Sequence, residues 1–421
     1  MSSISAPTGG KIPIRKIHST NARNKLLLNR FTLFESLTIM AGIYIHIPFC
    51  KQACSYCDFF FSTNRQYIDP FVSSLVKEIT SSQNTPFVAT PVETLYLGGG
   101  TPSLLNAKQL EAIFVAVHHT FATELKEVTI EVNPDDITPD YLKMLRGFGI
   151  NRVSMGVQTF DENLLRFMNR AHNRQEAKQA LNAIHETGFP SFTADLIYGN
   201  PGQSLSMLKA DLLQLLEFSP PHISAYSLTV ESRTRLGKQV RLGRIKPPED
   251  EEVADHLDLV RETLGSHGMV QYEVSNYALP GKEAVHNANY WEHKDYLGFG
   301  PSAHSFYWTS RSSAVRRKNV ADLNKYIREA GEGGSLIEES EELDLPRLAE
   351  ERLIIGLRTR KGIFFEELKS HYQYTLNAAQ EEWRDFQIDA GTVVADRERL
   401  AFTEEGLKIS DLLIVDMLTK E

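Results

Sequence analysis

The sequence is poor in cysteine: its 421 residues include only three, and an odd number of thiols cannot all pair within one chain. A disulfide-rich secreted scaffold is therefore excluded. Long apolar runs are also missing, since no stretch of the sequence approaches the roughly 18–20 consecutive apolar residues of a membrane-spanning helix. We therefore expect no membrane span, which is compatible with peripheral contact with a membrane.

Positive charge is in deficit as well. The chain carries 45 Lys and Arg against 54 Asp and Glu, a net charge of −9. A general nucleic-acid binder shows a basic excess or a basic stripe, so nucleic acid is not expected as a partner. The length and the 42% hydrophobic content are typical of an ordinary globular protein of two or three domains. We expect a cytoplasmic protein.

The first forty residues differ from the rest in charge. Residues 1–40 hold six basic residues and one acidic residue, and because the whole chain carries −9 the remainder carries −14. A basic, acid-poor leader that contains Ser and Asn is typical of an organellar transit peptide. The alternative is a misassigned start, because Met40 directly precedes the first folded pattern. We predict that residues 1–40 are disordered or dispensable.

From residue 43 onward, short apolar runs alternate with amphipathic stretches. Six runs have the length and the β-branched content of buried parallel strands: Ile43–Ile47, Thr94–Leu97, Val128–Val132, Arg152–Val157, Phe192–Ile197 and His222–Ser227. Helical periodicity fills the intervals at Tyr67–Thr80, Ala107–Thr120, Pro139–Phe148, Gln175–Thr187 and Leu205–Glu217. This order predicts an α/β domain of right-handed βαβ units over residues 41–230, as a doubly wound sheet or a partial barrel. In either fold the functional loops follow the carboxyl ends of the strands.

The rest of the chain is less regular. Residues 231–335 read as an extension with one helix, Glu249–Ser266, and an aromatic-rich loop region, Tyr272–Trp308. An acidic run at residues 338–342 follows a glycine-rich stretch, which indicates a solvated linker. Residues 336–421 then show three helices, a hairpin and a last helix, Glu404–Met417, which predicts a C-terminal helical, winged-helix-like domain.

All three cysteines lie on one loop, Cys50-x-x-x-Cys54-x-x-Cys57, directly after the first predicted strand. Closely spaced thiolates can bind an iron–sulfur cluster or a zinc ion. Zinc would need a fourth Cys or His nearby, whereas three thiolates on a four-iron cluster leave one iron open to an exchangeable ligand. Inert buried thiols are the third interpretation, which the polar neighbours Lys51 and Asp58 disfavour.

The cysteine motif with Tyr56 before its last Cys resembles that of the radical S-adenosylmethionine (SAM) superfamily. The longer segment from Tyr44 to Cys50 is similar to the branch that contains anaerobic coproporphyrinogen III oxidase and its heme-chaperone relatives. This resemblance implies a partial (β/α)6 TIM-like barrel, and a 4Fe–4S cluster held by Cys50, Cys54 and Cys57. It also implies SAM on the open iron, where one electron from an unidentified donor yields a 5′-deoxyadenosyl radical.

The same resemblance implies a set of SAM-binding residues at strand ends. The glycine segment Gly98–Ser103 would let the backbone approach the cofactor. Glu131, inside an apolar strand, needs a partner or a function. The residues that match SAM-contacting positions are Tyr44, Gly99, Gly100, Thr101, Glu131, Gln158, Arg170 and Asp195.

Two features place the chain within that branch. The authentic oxidase carries a further cysteine two positions after the third, whereas this chain has Phe59 there, which puts decarboxylase activity in doubt. Residues 286–291 reproduce a His-Asn-x-x-Tyr-Trp segment that the heme-chaperone subgroup associates with heme. His286 is therefore a candidate heme ligand, with His293 and His304 close enough in sequence to compete.

The resemblance predicts a chaperone that binds heme and a SAM-ligated cluster and transfers heme to an unknown acceptor protein. The alternative is an oxygen-independent coproporphyrinogen III oxidase, which decarboxylates two propionates. A third interpretation is a non-catalytic interaction module with a structural cluster. Formation of protoporphyrinogen, or reductive cleavage of SAM, would distinguish among the three.

Overall fold

The six predicted strands all form and pair in parallel in chain order, in a computed structural model that describes residues 42–420. The predicted leader, residues 1–40, lies outside the described residues. The strands are β1 (Gly42–Ile47), β2 (Val92–Gly99), β3 (Thr123–Val132), β4 (Arg152–Gln158), β5 (Ser191–Tyr198) and β6 (His222–Ser227). The helices between them are α1 (Ile68–Ser81), α2 (Ala107–Thr120), α3 (Pro139–Gly147), α4 (Glu162–Phe167), α5 (Arg174–Glu186) and α6 (Leu205–Leu216).

Side-chain alternation in β1 divides the core from the functional face. Ile43, Ile45 and Ile47 are fully buried in the main hydrophobic core. Tyr44 and His46 point to the opposite face, because successive residues of a strand alternate between faces. The first strand thus anchors the sheet and also presents polar aromatic side chains next to the cysteine loop.

Further strands extend the sheet on both sides. β8 (Asn276–Ala278) pairs antiparallel with β6, and β7 (Val270–Gln271) pairs antiparallel with β8, while β9 (Tyr296–Phe299) pairs in parallel with β1. β10 (His304–Ser310), β11 (Ser313–Asn319) and β12 (Ile337–Asp344) continue antiparallel from β9. The twelve strands follow the order β12-β11-β10-β9-β1-β2-β3-β4-β5-β6-β8-β7. The sheet has two different end strands and is not closed, as a partial barrel requires.

The structure corrects two sequence predictions. The acidic run at 338–342 is not a linker, because it lies in β12, whose Glu339 and Glu341 face Lys318 and Arg316 of β11. Opposite charges on neighbouring strands stabilise a strand that lacks an apolar pattern. The aromatic-rich region that was predicted as loop contains β9 and most of β10.

The remaining helices of the extension are α7 (Arg235–Arg241), α8 (Asp250–Ser266), α9 (Val285–Trp291) and α10 (Leu323–Glu332). The C-terminal part is helical as predicted, with α11 (Leu345–Leu357), α12 (Phe365–Tyr372), α13 (Ala378–Asp389), α14 (Glu404–Lys408) and α15 (Ser410–Leu418). The predicted hairpin is β14 (Val393–Ala395) and β15 (Arg399–Phe402), which pairs with β13 (Ile363–Phe364).

One prediction about the C-terminal part is wrong: the expected single last helix is divided into α14 and α15 at Ile409. A second hydrophobic core joins the C-terminal helices to the large sheet. It contains Leu353 of α11 and Trp383 of α13 together with Phe306 of β10 and Leu343 of β12. Within residues 42–420, no helix has the length and apolar character needed to cross a membrane.

Candidate functional site

The three cysteines lie on a closed loop that follows β1. The backbone N–H of Cys50 donates to the carbonyl of Ser62 over 3.0 Å, and the N–H of Ser62 donates to the carbonyl of Pro48 over 2.6 Å. Cys50, Cys54 and Cys57 are half-buried free thiols. Burial raises the pKa of the Cys50 thiol to about 11 and also raises that of Cys57. A bound metal reverses this tendency, because a coordinated thiol loses its proton.

The segment between α4 and α5 holds this loop in place. Ser55 donates from its N–H to the carbonyl of Met168 over 2.9 Å and from its hydroxyl to that of Phe167 over 3.0 Å. The Asn169 amide donates to the carbonyl of Ala53 over 2.7 Å, from a backbone with φ of 58°. The next residue, Arg170, reaches a cysteine directly: its Nη1 lies 3.4 Å from Sγ of Cys54.

The donor set fits a cluster with several metal atoms. Among the described residues, no three His, Cys, Asp or Glu side chains are grouped so that they could hold a single metal ion. A four-iron cluster does not require such convergence, because each thiolate binds a different iron. Three half-buried free thiols on one braced loop provide that set of ligands.

The glycine segment after β2 lies directly against the start of the cysteine loop. The N–H groups of Gly100 and Thr101 donate to the carbonyls of Ile47 and Phe49 over 2.8 and 2.7 Å. A Cβ at Gly100 would lie only 2.7 Å from the Phe49 carbonyl oxygen, and Gly99 has φ of +108°. Both positions require glycine, as a backbone that closely approaches a loop and a ligand does.

Glu131 of β3 is the acid that connects this segment to the next strand. Its carboxylate accepts hydrogen bonds from Tyr96 Oη and from the Gly99 N–H, each over 2.9 Å. Burial raises the pKa of Glu131 to about 7 in spite of these bonds. The buried acid predicted from its apolar strand therefore has partners, and it fixes the conformation of Gly99.

Three further polar side chains lie near β4 and β5: Gln158 at the end of β4, Asp195 within β5, and Arg170 in the segment after α4. Nη2 of Arg170 donates to the Asn133 side chain and to the Gly156 carbonyl, both over 2.9 Å, and buried Nε has no hydrogen-bond partner among the described residues. Gln158 has φ of 66° at a β-bulge, and its buried Oε1 is likewise unpaired within the described chain. Such unpaired buried groups are costly unless a ligand satisfies them.

Asp195 of β5 completes this group of polar side chains. Its carboxylate lies 3.3 Å from the Ser154 hydroxyl, which donates to it. Burial raises the pKa of Asp195 to about 6, although hydrogen bonds from Ser224 and Ser154 oppose the shift. The sequence-predicted SAM residues therefore lie on the neighbouring strands β1 to β5, on the glycine segment after β2 and on the segment after α4. The unpaired atoms of Gln158 and Arg170, together with the glycine backbone, fit a polar cofactor.

A cavity of about 740 Å³ adjoins the cysteine loop. Asp58, Phe59 and Phe60, which follow Cys57 directly, form one wall, and Tyr44 lines the cavity as well. The remaining lining side chains include aromatic, histidine and charged residues from the sheet, from α9 and the turn after it, and from α11: His46, Tyr290, His293, Tyr296, His304, Phe306, Arg316 and Glu351. The sequence did not predict most of these lining residues. The only sequence signal for them was the high aromatic content of residues 272–308.

His286 is not among the side chains that line this cavity. Only 2% of His286 is exposed, its Nδ1 lies 2.8 Å from Thr94 Oγ1, and its Nε2 lies 2.8 Å from Tyr290 Oη. Its ring stacks on Tyr96 at 5.1 Å, and burial lowers its pKa to about 3. Both ring nitrogens are therefore engaged, and iron binding by His286 would require one of these bonds to break.

Comparisons with known proteins agree with the geometry. The radical SAM superfamily profile matches residues 44–215. The chain is 33% identical to heme chaperone HemW of Lactococcus lactis subsp. lactis (strain IL1403), over 87% of this chain and 94% of that protein. Heme chaperone HemW of Bacillus subtilis (strain 168) is also 33% identical, over 80% and 88%. A zebrafish relative, radical S-adenosyl methionine domain-containing protein 1, mitochondrial, is 33% identical over 78% and 75%.

A solved structure shares the fold. Coproporphyrinogen III oxidase (HemN) from Escherichia coli, described as a radical SAM enzyme, superposes with a TM-score of 0.77 over 90% of this chain and 91% of that chain. The two sequences are 24% identical, so this likeness concerns the fold alone.

Proposed function

Because the chain belongs to the HemW family of heme chaperones in the radical SAM superfamily, we propose that it binds heme and transfers it to an acceptor protein. The observation that carries this proposal is the cavity that adjoins the cysteine loop. Its volume of about 740 Å³ lies within the roughly 300–1,000 Å³ that cofactor and ligand pockets occupy. We place heme in this cavity.

The lining of the cavity suits a flat, amphiphilic macrocycle. Phe59, Phe60 and Phe306 offer aromatic surfaces for the ring, and Arg316 and Lys294 place cations at the wall, where propionates can pair with them. Phe59 is 71% exposed, which leaves its ring available to cover a bound macrocycle. The residue that replaces the additional cysteine of the oxidase thus becomes part of the heme site.

We further propose that Cys50, Cys54 and Cys57 hold a 4Fe–4S cluster and that the adjoining polar group binds SAM. When bound, the cluster supplies single electrons, and its iron without a thiolate takes the amino and carboxylate groups of SAM. The Gly99 and Gly100 backbone, together with Glu131, would position the methionine part. Gln158 and Arg170 would contact the rest of the cofactor with polar atoms that have no partner among the described residues, and Asp195 would contact it with its carboxylate.

The alternative, a coproporphyrinogen III oxidase, is tested in the same protein. Anaerobically purified protein is incubated with coproporphyrinogen III, SAM and a low-potential reductant, and heme binding is titrated in parallel. The proposal predicts saturable heme binding and no protoporphyrinogen. Protoporphyrinogen formation over many turnovers, without stable heme binding, would support the oxidase instead.

We retain the cytoplasm as the proposed location. Fractionation of cells that express the full chain, together with mass spectrometry of its mature N-terminus, tests this proposal and the role of residues 1–40. Recovery of a shortened chain from an organelle would contradict it.

A further inference from the structure

Three histidines line the cavity, and two of them are buried. His46 has Nε2 2.8 Å from the Phe60 carbonyl and Nδ1 3.0 Å from Tyr44 Oη, so both of its ring nitrogens are engaged. The ring of His293 is enclosed between Phe306 and Tyr372, and its Nδ1 lies 3.1 Å from Tyr372 Oη. Its Nε2 has no hydrogen-bond partner among the described residues and lies 3.4 Å from a carboxylate oxygen of Glu351, so this enclosed ring would have to move before it could bind a metal ion in the cavity.

His304 differs from both. Its side chain is exposed to the cavity, and neither ring nitrogen makes a hydrogen bond within residues 42–420. Its backbone is nevertheless fixed, because β10 pairs with β11 along its length. A rigid strand therefore presents a free imidazole to an aromatic-lined cavity, as a site for a ligated metal requires.

The neighbours of His304 suit an anionic macrocycle. His304 and Phe306 share one face of β10, and their cross-strand partners on β11 are Lys318 and Arg316. Phe306 in turn faces Tyr296 of β9. The face thus combines one imidazole, two aromatic rings and two cations. Lys318 pairs with Glu339 and Arg316 with Glu351, so heme propionates would have to exchange with these carboxylates.

We propose that His304 is the axial imidazole ligand of the heme iron, and that His286 supports the cavity wall from behind through Tyr290. This assignment rests on the proposed heme-binding function. The bond formed is from a neutral imidazole nitrogen to iron, with no change in oxidation state and no bond broken within the porphyrin. Partial burial and the nearby Lys318 and Arg316 lower the pKa of His304, which favours the neutral form.

The test is a heme titration of the full chain, followed by absorption and resonance Raman spectroscopy. We expect His304→Ala to shift or abolish the Soret band and to weaken heme binding at least roughly tenfold. Exogenous imidazole should restore the wild-type spectrum of this variant, because it fills the vacated ligand position. The matched control is His119→Ala, an exposed histidine on α2, which should bind heme as the wild type does.

A second variant covers the case in which His304→Ala does not fold. His304→Met keeps a long side chain on the strand but offers a thioether in place of the imidazole. The heme spectrum should therefore change from that of an imidazole-ligated iron to that of a thioether-ligated iron. Wild-type spectra and affinity in either variant would overturn the assignment and leave the heme-chaperone proposal standing. Failure of the wild-type protein to bind heme would overturn the proposed function itself, and with it this assignment.

Discussion

Arg170 Nη1 lies 3.4 Å from Sγ of Cys54, so one guanidinium joins the cysteine loop to the polar strand ends. The same side chain bonds Asn133 and the Gly156 carbonyl. Its planar fork therefore braces three elements at once, and a lysine ammonium cannot reproduce that geometry.

We expect Arg170→Lys to weaken SAM binding by roughly tenfold, about 1.4 kcal/mol, while much of the iron is retained. Equilibrium binding of SAM to the reconstituted protein measures the effect. The control is Arg166→Lys on α4, whose guanidinium bonds Asn163 and the Glu162 carbonyl at the surface. Equal SAM affinities for Arg170→Lys and the wild type would remove Arg170 from the cofactor site.

Replacement of one cysteine tests the cluster. Cys54→Ser should lower the content of iron and acid-labile sulfide and reduce the broad charge-transfer absorbance of the cluster, because an alcohol is a much weaker iron ligand than a thiolate. Iron and sulfide analysis after anaerobic reconstitution provides the measurement. Wild-type content in a variant that remains folded by circular dichroism would mean that Cys54 is not a ligand.

Phe59 is expected to contribute to heme affinity. Phe59→Ala removes an aromatic surface from the cavity wall and should weaken heme binding by roughly tenfold, about 1.4 kcal/mol, just under the roughly 1.5–3 kcal/mol for full burial of such a side chain. Iron content should not change. Phe386→Ala is the matched control, since Phe386 is 67% exposed on α13 and does not line the cavity. If both variants bind heme equally well, Phe59 has no part in the site.

His286 should act as a positioning residue. His286→Ala leaves a cavity behind Tyr290 and removes two buried hydrogen bonds, so we expect a loss of roughly 2–3 kcal/mol of unfolding free energy. The heme affinity should fall, whereas the spectrum should retain its imidazole ligand. Loss of that ligand signature at wild-type stability would instead confirm the sequence prediction that His286 binds iron.

A buried glutamate away from the cofactors should make stability depend on pH. Glu78 on α1 accepts hydrogen bonds from Gly300, Asn319 and Tyr326, yet burial raises its pKa from 4.5 to about 7. A folded-state pKa above the unfolded value means that the folded state binds the proton more tightly. The contribution of Glu78 to stability is therefore full below about pH 4.5 and is lost as the pH rises through about 7.

Glu78→Gln should flatten the fall of the unfolding free energy between pH 5 and 8, whatever its effect on absolute stability. Denaturant unfolding at several pH values measures this slope. Glu186→Gln, an exposed change at the end of α5, should leave the slope as in the wild type. An unchanged slope in Glu78→Gln would mean that another group controls the pH dependence.

The sequence predicted the strands whose burial requires a recognisable pattern of apolar residues. β1–β6 were predictable because a strand covered on both faces requires a short β-branched run, as at Ile43–Ile47. The cysteine loop was predictable because ligand spacing is local. β11 and β12 were not, since their pairing depends on Arg316, Lys318, Glu339 and Glu341 across strands far apart in sequence.

The proposed heme site shows the same limit. The motif that contains His286 and Tyr290 lies beside the cavity, because Tyr290 lines it, and its role in heme binding stays a prediction. Thr94 and Tyr290 hydrogen-bond the two ring nitrogens of His286, which holds this side chain away from the cavity. Spacing along the chain does not encode such contacts. Only the tertiary structure distinguishes the enclosed His286 from the exposed His304.

Transfer of heme to another protein is the step that defines a heme chaperone. The heme-loaded protein is mixed anaerobically with apomyoglobin, which serves as a generic acceptor, and the Soret band is followed with and without SAM. We expect the chain to bind heme in a saturable manner and then to give it up completely to the acceptor. Failure to bind heme, or heme that stays on the chain in the presence of excess acceptor, would contradict the proposed function.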